Sequence, residues 1–248
     1  MKTPRHLTPF VLPLLLTPTT AFPSPQDAIT TPPTAAPNTT SACPQIQIFA
    51  ARETTAPPEF GSSRTLVDLI LTAFPAPNQA AVEAIAYPAA GATPEEYAAS
   101  VTAGIAAVVS QTAAFAARCP GSVIVMHGYS QGSQIMDDAF CGGPDGSSLD
   151  GEGRLVGEDV AGMTAALVWM GNPRHSGELG FEVGSAVAGG FAARPPGFSC
   201  PEFEDRIQSY CDAADPFCSD GDDPAVHQGY GQQFGQEALD FVVSKIAV

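Results

Sequence analysis

Apolar residues along this chain recur in two rhythms. Short runs of nearly continuous apolar character fall at 46–51, 81–87, 122–126 and 165–170, with a more mixed run at 206–210, and each has the length of a strand rather than a helix. Between them apolar positions return every three or four residues. Residues 66–74 read as a short helix stopped by Pro75 and Pro77. From Pro94, a favoured first-turn residue followed by Glu95 and Glu96, a long helix is predicted to about Arg118. Its apolar stripe is Tyr97, Val101, Ile105, Val108 and Phe115. Residues 133–140 and about 232–247 complete the helices, while the Gly, Asp and Ser of 141–157 and the Gly and Pro of 177–199 argue against regular elements there. The order β, α, β, α, β, α, β, β, α predicts an α/β fold in which a parallel sheet, five strands by this count, is covered by helices on both faces. Ligands of such sheets gather at the carboxyl ends of the strands. Thr54, Ser130, Asn172 and Asp215 each follow a strand and are expected on that edge.

The first residues stand apart from this pattern. Lys2, Arg5 and His6 precede an apolar run at 7–16, and Thr19, Thr20 and Ala21 supply small residues for cleavage, so 1–21 reads as a secretory signal peptide. The run is far shorter than the roughly 20 residues a membrane span needs. Residues 22–42 are dominated by Pro, Thr and Ala and read as a flexible leader or propeptide, with a glycosylation sequon at Asn38. A single catalytic domain is expected over 43–248. Six cysteines in an exported chain imply three disulfides, for which sequence alone allows 15 pairings. Cys211 and Cys218 are close enough in sequence to pair with each other. The net charge of -16 becomes more negative once the signal is lost, which disfavours nucleic acid and anionic lipid as partners but leaves neutral polysaccharides, polyesters and small esters open. A monomer is expected.

The chemistry centres on residues 123–132, where an apolar run leads into Gly128, Ser130 and Gly132. This is the spacing of a nucleophile elbow, a tight strand-to-helix turn that holds a serine out of the sheet. A serine needs a base, and the base needs a carboxylate to orient it. His6 leaves with the signal, His127 is expected in packing at the sheet end or on the surface, and His175 at best lines the site. His227, read as lying in a loop after the fifth strand, is the expected base. The acid should then fall between Ser130 and His227 in chain order. Asp215 is preferred over Asp212, Asp222 and Asp223 because closure of Cys211 onto Cys218 would fix its direction. Backbone N–H of Gln131 and the N–H and hydroxyl of Thr54 are the expected oxyanion donors. No zinc, phosphate-loop or dinucleotide signature occurs, and no metal or cofactor is expected.

Cys43-Pro44, Ala51-Arg-Glu-Thr-Thr55, Gly128-Tyr-Ser-Gln-Gly132, Arg194-Pro-Pro-Gly-Phe-Ser-Cys200, the Asp215-Pro-Phe-Cys218 loop and His227-Gln-Gly-Tyr230 together resemble the fungal cutinase-like serine esterases, and most closely their acetylxylan esterase branch. The likeness runs in collinear order over about 43–247. It implies a lidless α/β-hydrolase with a five-stranded parallel sheet, the triad Ser130, Asp215 and His227, an oxyanion hole from Thr54 and Gln131, and disulfides Cys43–Cys119 and Cys141–Cys200. His127 stands where relatives usually carry a small or aliphatic residue, Asn172 where acetylxylan esterases often have Asp, and 89–96 lacks a cysteine pair found in some of them. Phe217, Tyr129, Asn172 and Tyr230 are expected to line the substrate pocket, with Phe217 closing the acyl side to long chains. The expected activity is removal of acetyl groups from acetylated xylan. A cutinase is the alternative, and a non-catalytic carbohydrate-binding protein a more distant one.

Overall fold

The computed structural model describes residues 43–246. The expected signal peptide, the expected leader and the Asn38 sequon lie outside the described residues. Strands β1 (Ile46–Ala51), β2 (Ala80–Ala84), β3 (Val123–Tyr129), β4 (Thr164–Met170), β5 (Glu182–Val183) and β6 (Ile207–Tyr210) form one sheet in the order β2-β1-β3-β4-β6-β5. All five pairings are parallel. Helices α1 (Arg64–Ala73), α2 (Pro94–Arg118), α3 (Gln131–Cys141), α4 (Glu158–Met163) and α5 (Pro224–Ile246) cover it.

Alternation along the central strands produces two cores. Ile124 and Met126 of β3, with Leu167 and Trp169 of β4, pack with Val101, Ile105, Val108 and Phe115 of α2 and Ile135 and Met136 of α3. Val125 and Tyr129, with Ala166, Val168 and Met170, face the opposite way onto Leu66, Val67 and Ile70 of α1 and Ala238 and Val242 of α5. Burial on both faces is why these strands carry continuous apolar runs instead of alternating polarity. At the head of α2 the Thr93 hydroxyl accepts from the Glu96 N–H at 3.2 Å, and Pro94 follows as the first helical residue.

Three expectations need correction. The sheet has six strands, not five, because two residues of the 177–199 stretch, Glu182 and Val183, add an edge strand too short to show a period. A short helix, α4, precedes β4, with Glu158 and Asp159 at its positive end. The closing helix begins at Pro224 instead of about 232, so His227 sits in its first turn and not in a loop. Gly229, Gly231 and Gly235 disguise this helix in the sequence. Gly231 serves packing: a Cβ there would lie 2.9 Å from that of Thr65, so its absence lets α5 approach α1.

Candidate active site

Ser130 lies between β3 and α3 at φ 53°, ψ -121°, a backbone conformation that non-glycine residues rarely adopt. Its neighbours make the turn possible. A Cβ on Gly128 would stand 2.5 Å from the Ser133 nitrogen, and one on Gly132 would stand 2.6 Å from the Ala51 carbonyl carbon. The spacing of glycines around the serine is therefore a record of two backbone approaches, one within the turn and one against the end of β1. The Ser130 N–H donates to the Met170 carbonyl at 2.8 Å, which ties the turn to β4 as well.

His227 Nδ1 is 2.7 Å from Asp215 Oδ2. That contact leaves Nε2 as the ring nitrogen available to a hydroxyl. Asp215 is buried and fully engaged. Oδ1 accepts from the N–H groups of Phe217 (2.7 Å) and Cys218 (3.1 Å), and Oδ2 accepts from the Tyr230 hydroxyl (2.7 Å) in addition to His227. Burial by itself would raise this carboxyl, but the hydrogen bond and charge of His227, with the other donors, hold it below the ordinary aspartate value. The imidazole is positioned from further directions. The Tyr129 hydroxyl donates to the His227 carbonyl at 2.6 Å, and the Phe217 ring lies 4.5 Å from the imidazole, centroid to centroid. Gly171, at φ 62°, leaves room for the imidazole, since a Cβ there would meet its Cε1 at 2.7 Å.

Ser130 and His227, each 8% exposed, border a cleft of about 650 Å³. Thr54, Tyr129 and Phe217 border it too. The Gln131 N–H heads α3 and is one of the donors that a helix's first turn leaves without an intrahelical acceptor. Its side chain is clamped between the Ser100 hydroxyl (2.8 Å) and the Ala90 carbonyl (3.0 Å). The loop after β1 is equally restrained: Arg52 is buried, donating to the Ala56, Tyr87 and Pro88 carbonyls, and the Glu53 carboxylate accepts from the N–H and hydroxyl of Ser62.

Two of the residues expected in the substrate pocket are placed elsewhere. Asn172 is buried, donating to Asp137 and accepting from the Arg174 N–H, and does not border the cleft. Tyr230 lies behind Asp215, where its hydroxyl also accepts from the Asp212 N–H at 3.0 Å. His127 and His175 are both buried, not on the surface, and neither borders the cleft. His127 donates from Nδ1 to the Val168 carbonyl, and burial lowers it from 6.5 to about 4, so it is neutral at ordinary pH. His175 pairs with Glu182 at 2.6 Å.

Sequence reasoning missed the largest polar feature, a buried cluster of Asp137, Asp138, Asp145, Arg174 and Arg194. Arg194 lies 2.7 Å from Asp137 and 3.3 Å from Asp138, and Arg174 lies 3.1 Å from Asp138 and 3.2 Å from Asp145. Residues 131–140 of α3 are all buried, Asp137 and Asp138 included, which nothing in the sequence signals. Among the described residues no group of His, Cys, Asp and Glu is arranged to hold a metal ion.

A parallel sheet with helices on both faces, and a serine on the strained turn after a central strand, defines an α/β-hydrolase. The match of residues 42–246 to the cutinase family profile goes further. The chain belongs to the cutinase family and is a carboxylic ester hydrolase. It is 46% identical over 210 residues to acetylxylan esterase 2 of Talaromyces purpureogenus, covering 83% of this chain and 88% of that protein. Cutinase 11 of Verticillium dahliae is also 46% identical over 210 residues, covering 83% and 70%. Among solved structures, an acetylxylan esterase at 46% identity superposes with a TM-score of 0.79 over 83% of this chain and 100% of that one. The catalytic core of the Trichoderma reesei acetyl xylan esterase gives 0.78 at 44% identity, covering 82% and 99%.

Proposed function

We propose that this is an exported esterase that removes acetyl groups from acetylated xylan, with Ser130 as nucleophile, His227 as general base and Asp215 as the carboxylate that orients it. The observation that carries the reading is that Ser130 and an Asp215-bound His227 border one cleft, the bond to Asp215 leaving the Nε2 of the histidine free to serve the hydroxyl. His227 takes the hydroxyl proton as Ser130 attacks the ester carbonyl, then gives it to the departing sugar oxygen, which leaves as a hydroxyl. A water activated by the same nitrogen releases acetate from the acyl-enzyme. The developing oxyanion is held by the Gln131 N–H and by Thr54. The restraint of both segments supplies the preorganisation on which such stabilisation depends. Pairing of all six cysteines, Cys43–Cys119, Cys141–Cys200 and Cys211–Cys218, supports export to an oxidising compartment.

The preference for acetyl rests on Phe217. Its ring borders the cleft against His227, the position from which an aromatic side chain would limit the length of an acyl chain. A cutinase is the second reading, favoured by the apolar exposure of Phe191 and Phe217 at the cleft. Acetate release from acetylated xylan, together with a chain-length series of p-nitrophenyl esters, separates the two. The expected result is xylan deacetylation that Ser130→Ala abolishes, and a kcat/KM that declines steadily from acetyl to butyryl and beyond. Each methylene is worth about 1 to 3 kcal/mol in a limiting pocket. In Phe217→Ala the maximum should move to longer chains. A profile peaking at butyrate or beyond, with cutin hydrolysis and no acetate from xylan, would establish the cutinase reading instead.

A further inference from the structure

The cleft has two unlike sides. Tyr97, Phe191 and Phe217 contribute aromatic rings, whereas Glu53, Thr55, Ser62 and Gln228 contribute carboxylate, hydroxyl and amide groups. Phe191 is the anomaly, since 59% of a large apolar residue faces water. Yet the backbone that carries it is held on both sides. Its own N–H donates to the Phe217 carbonyl at 3.2 Å, the Gly190 N–H to the His175 carbonyl at 2.9 Å, and the Ala192 N–H to the Pro173 carbonyl at 3.2 Å. A Cβ at Gly190 would stand 2.7 Å from the Phe217 oxygen, so only glycine lets this strap lie so close.

From the other side Tyr97 meets Phe191 edge to face, centroids 5.5 Å apart. The Tyr97 hydroxyl donates to Gln134 at 2.6 Å, Gln134 donates to Asp145 at 2.6 Å, and Asp145 is paired with Arg174. The buried charge cluster thus braces an exposed ring. A ring fixed in advance loses little freedom when something binds to it.

An acetyl group fills only the space next to Ser130, so the remainder of the cleft receives the alcohol portion of the ester. A pyranose suits the two sides, because it offers a C–H face to an aromatic ring and hydroxyls at its edge. An alkyl chain would desolvate Glu53 and Gln228 without bonding to them. We propose that Phe191 is a specificity-determining residue that stacks on a pyranose ring of the polysaccharide, with the sugar hydroxyls directed to Glu53 and Gln228. This rests on the acetylated-xylan reading and adds to it the place where the polymer lies.

The test joins binding to a ratio of rates. Binding of unacetylated xylohexaose is measured by calorimetry on the wild type, Phe191→Ala and Phe191→Trp. The kcat/KM for acetylated xylan is divided by that for ethyl acetate, which carries the same acyl group and no ring. Phe191→Ala should weaken xylohexaose binding and lower the ratio, each by about tenfold, chiefly through KM, and Phe191→Trp should restore both. Xylohexaose binding that is absent in the wild type, or a ratio unmoved by Phe191→Ala, overturns the proposal. So does a Trp variant no better than Ala. Xylohexaose binding that depends on Phe191, in a wild type that releases no acetate from xylan, would uphold the platform and sink the substrate reading alone.

Discussion

Four donors surround the Asp215 carboxylate, and only one of them is the imidazole it orients. Tyr230 and the two N–H groups of the Cys211–Cys218 loop account for the other three and fix how the carboxylate is held. A buried carboxylate with every acceptor site engaged stays ionised and keeps one direction. His127 is the opposite case, a buried group kept uncharged. Its value of about 4 in the fold, against 6.5 in the unfolded chain, means that the unfolded chain binds a proton first as pH falls. Stability from this residue is complete above pH 6.5, declines between pH 6.5 and 4, and is then roughly 3 kcal/mol lower. Asp215, with its lowered carboxyl, loses stability in acid in the same sense, and Asp138, with its raised one, works in the other. Comparison of wild type with His127→Leu cancels both. Urea unfolding at pH 7 and pH 4 should show the wild type losing up to about 3 kcal/mol more than the variant. Parallel losses would remove His127 from the acid response.

At the scale of elements, α3 is the buried hub. Its head carries Gln131, the proposed oxyanion donor, and its middle is gripped by guanidinium groups from two segments that follow β4, Arg174 directly and Arg194 at the end of the strap. Three carboxyls meet two arginines here, and burial together with Asp145 raises the Asp138 carboxyl well above its ordinary range against the pull of Arg174 and Arg194. Asp138→Asn should therefore remain within about 1 kcal/mol of wild type at pH 7. Arg194→Ala leaves carboxylates without their partner and should cost about 3 to 5 kcal/mol. Urea denaturation of the two variants decides it, and the reverse order would show that the cluster needs the full charge of Asp138. None of this was legible in the sequence. The proposed triad of Ser130, Asp215 and His227 could be singled out because each belongs to a small set of residues able to do the task proposed for it and follows a recognisable strand. An Arg at 194 and an Asp at 138 look like any loop or helix charge until the fold brings them together. Tyr230 misled for a related reason: an aromatic three residues past the base suggested a pocket wall, whereas one turn along α5 points it back at the acid. The start of α5 was hidden by glycines, of which Gly231 and Gly235 pack against α1, and β5 was too short for any period to register.

For the molecule as a whole, the parallel sheet and its two helical layers could be read from the rhythm of apolar residues, because doubly covered strands must be apolar throughout. The disulfides act at different ranges. Cys43–Cys119 spans 76 residues and Cys141–Cys200 spans 59, while Cys211–Cys218 spans only 7. By loop-closure entropy, replacing Cys43 and Cys119 together by Ala should cost about 4 kcal/mol, and replacing Cys211 and Cys218 about 2. Activity should follow the reverse order, because the short loop carries the Phe217 and Cys218 N–H groups that hold Asp215. Denaturant melts and ester turnover on the two double variants check this, and equal loss of turnover would detach the loop from the acid. The strand order has a consequence for how the enzyme comes into being. Ser130 follows β3 and Asp215 follows β6, and β4 lies between those strands, paired with both. The proposed nucleophile and its proposed acid therefore meet only where three neighbouring parallel strands are aligned, and no single hairpin or helix brings them together. Esterase activity is thus expected to require non-local pairing across the centre of the sheet, a kind of contact that forms slowly because long loops must close before it is made.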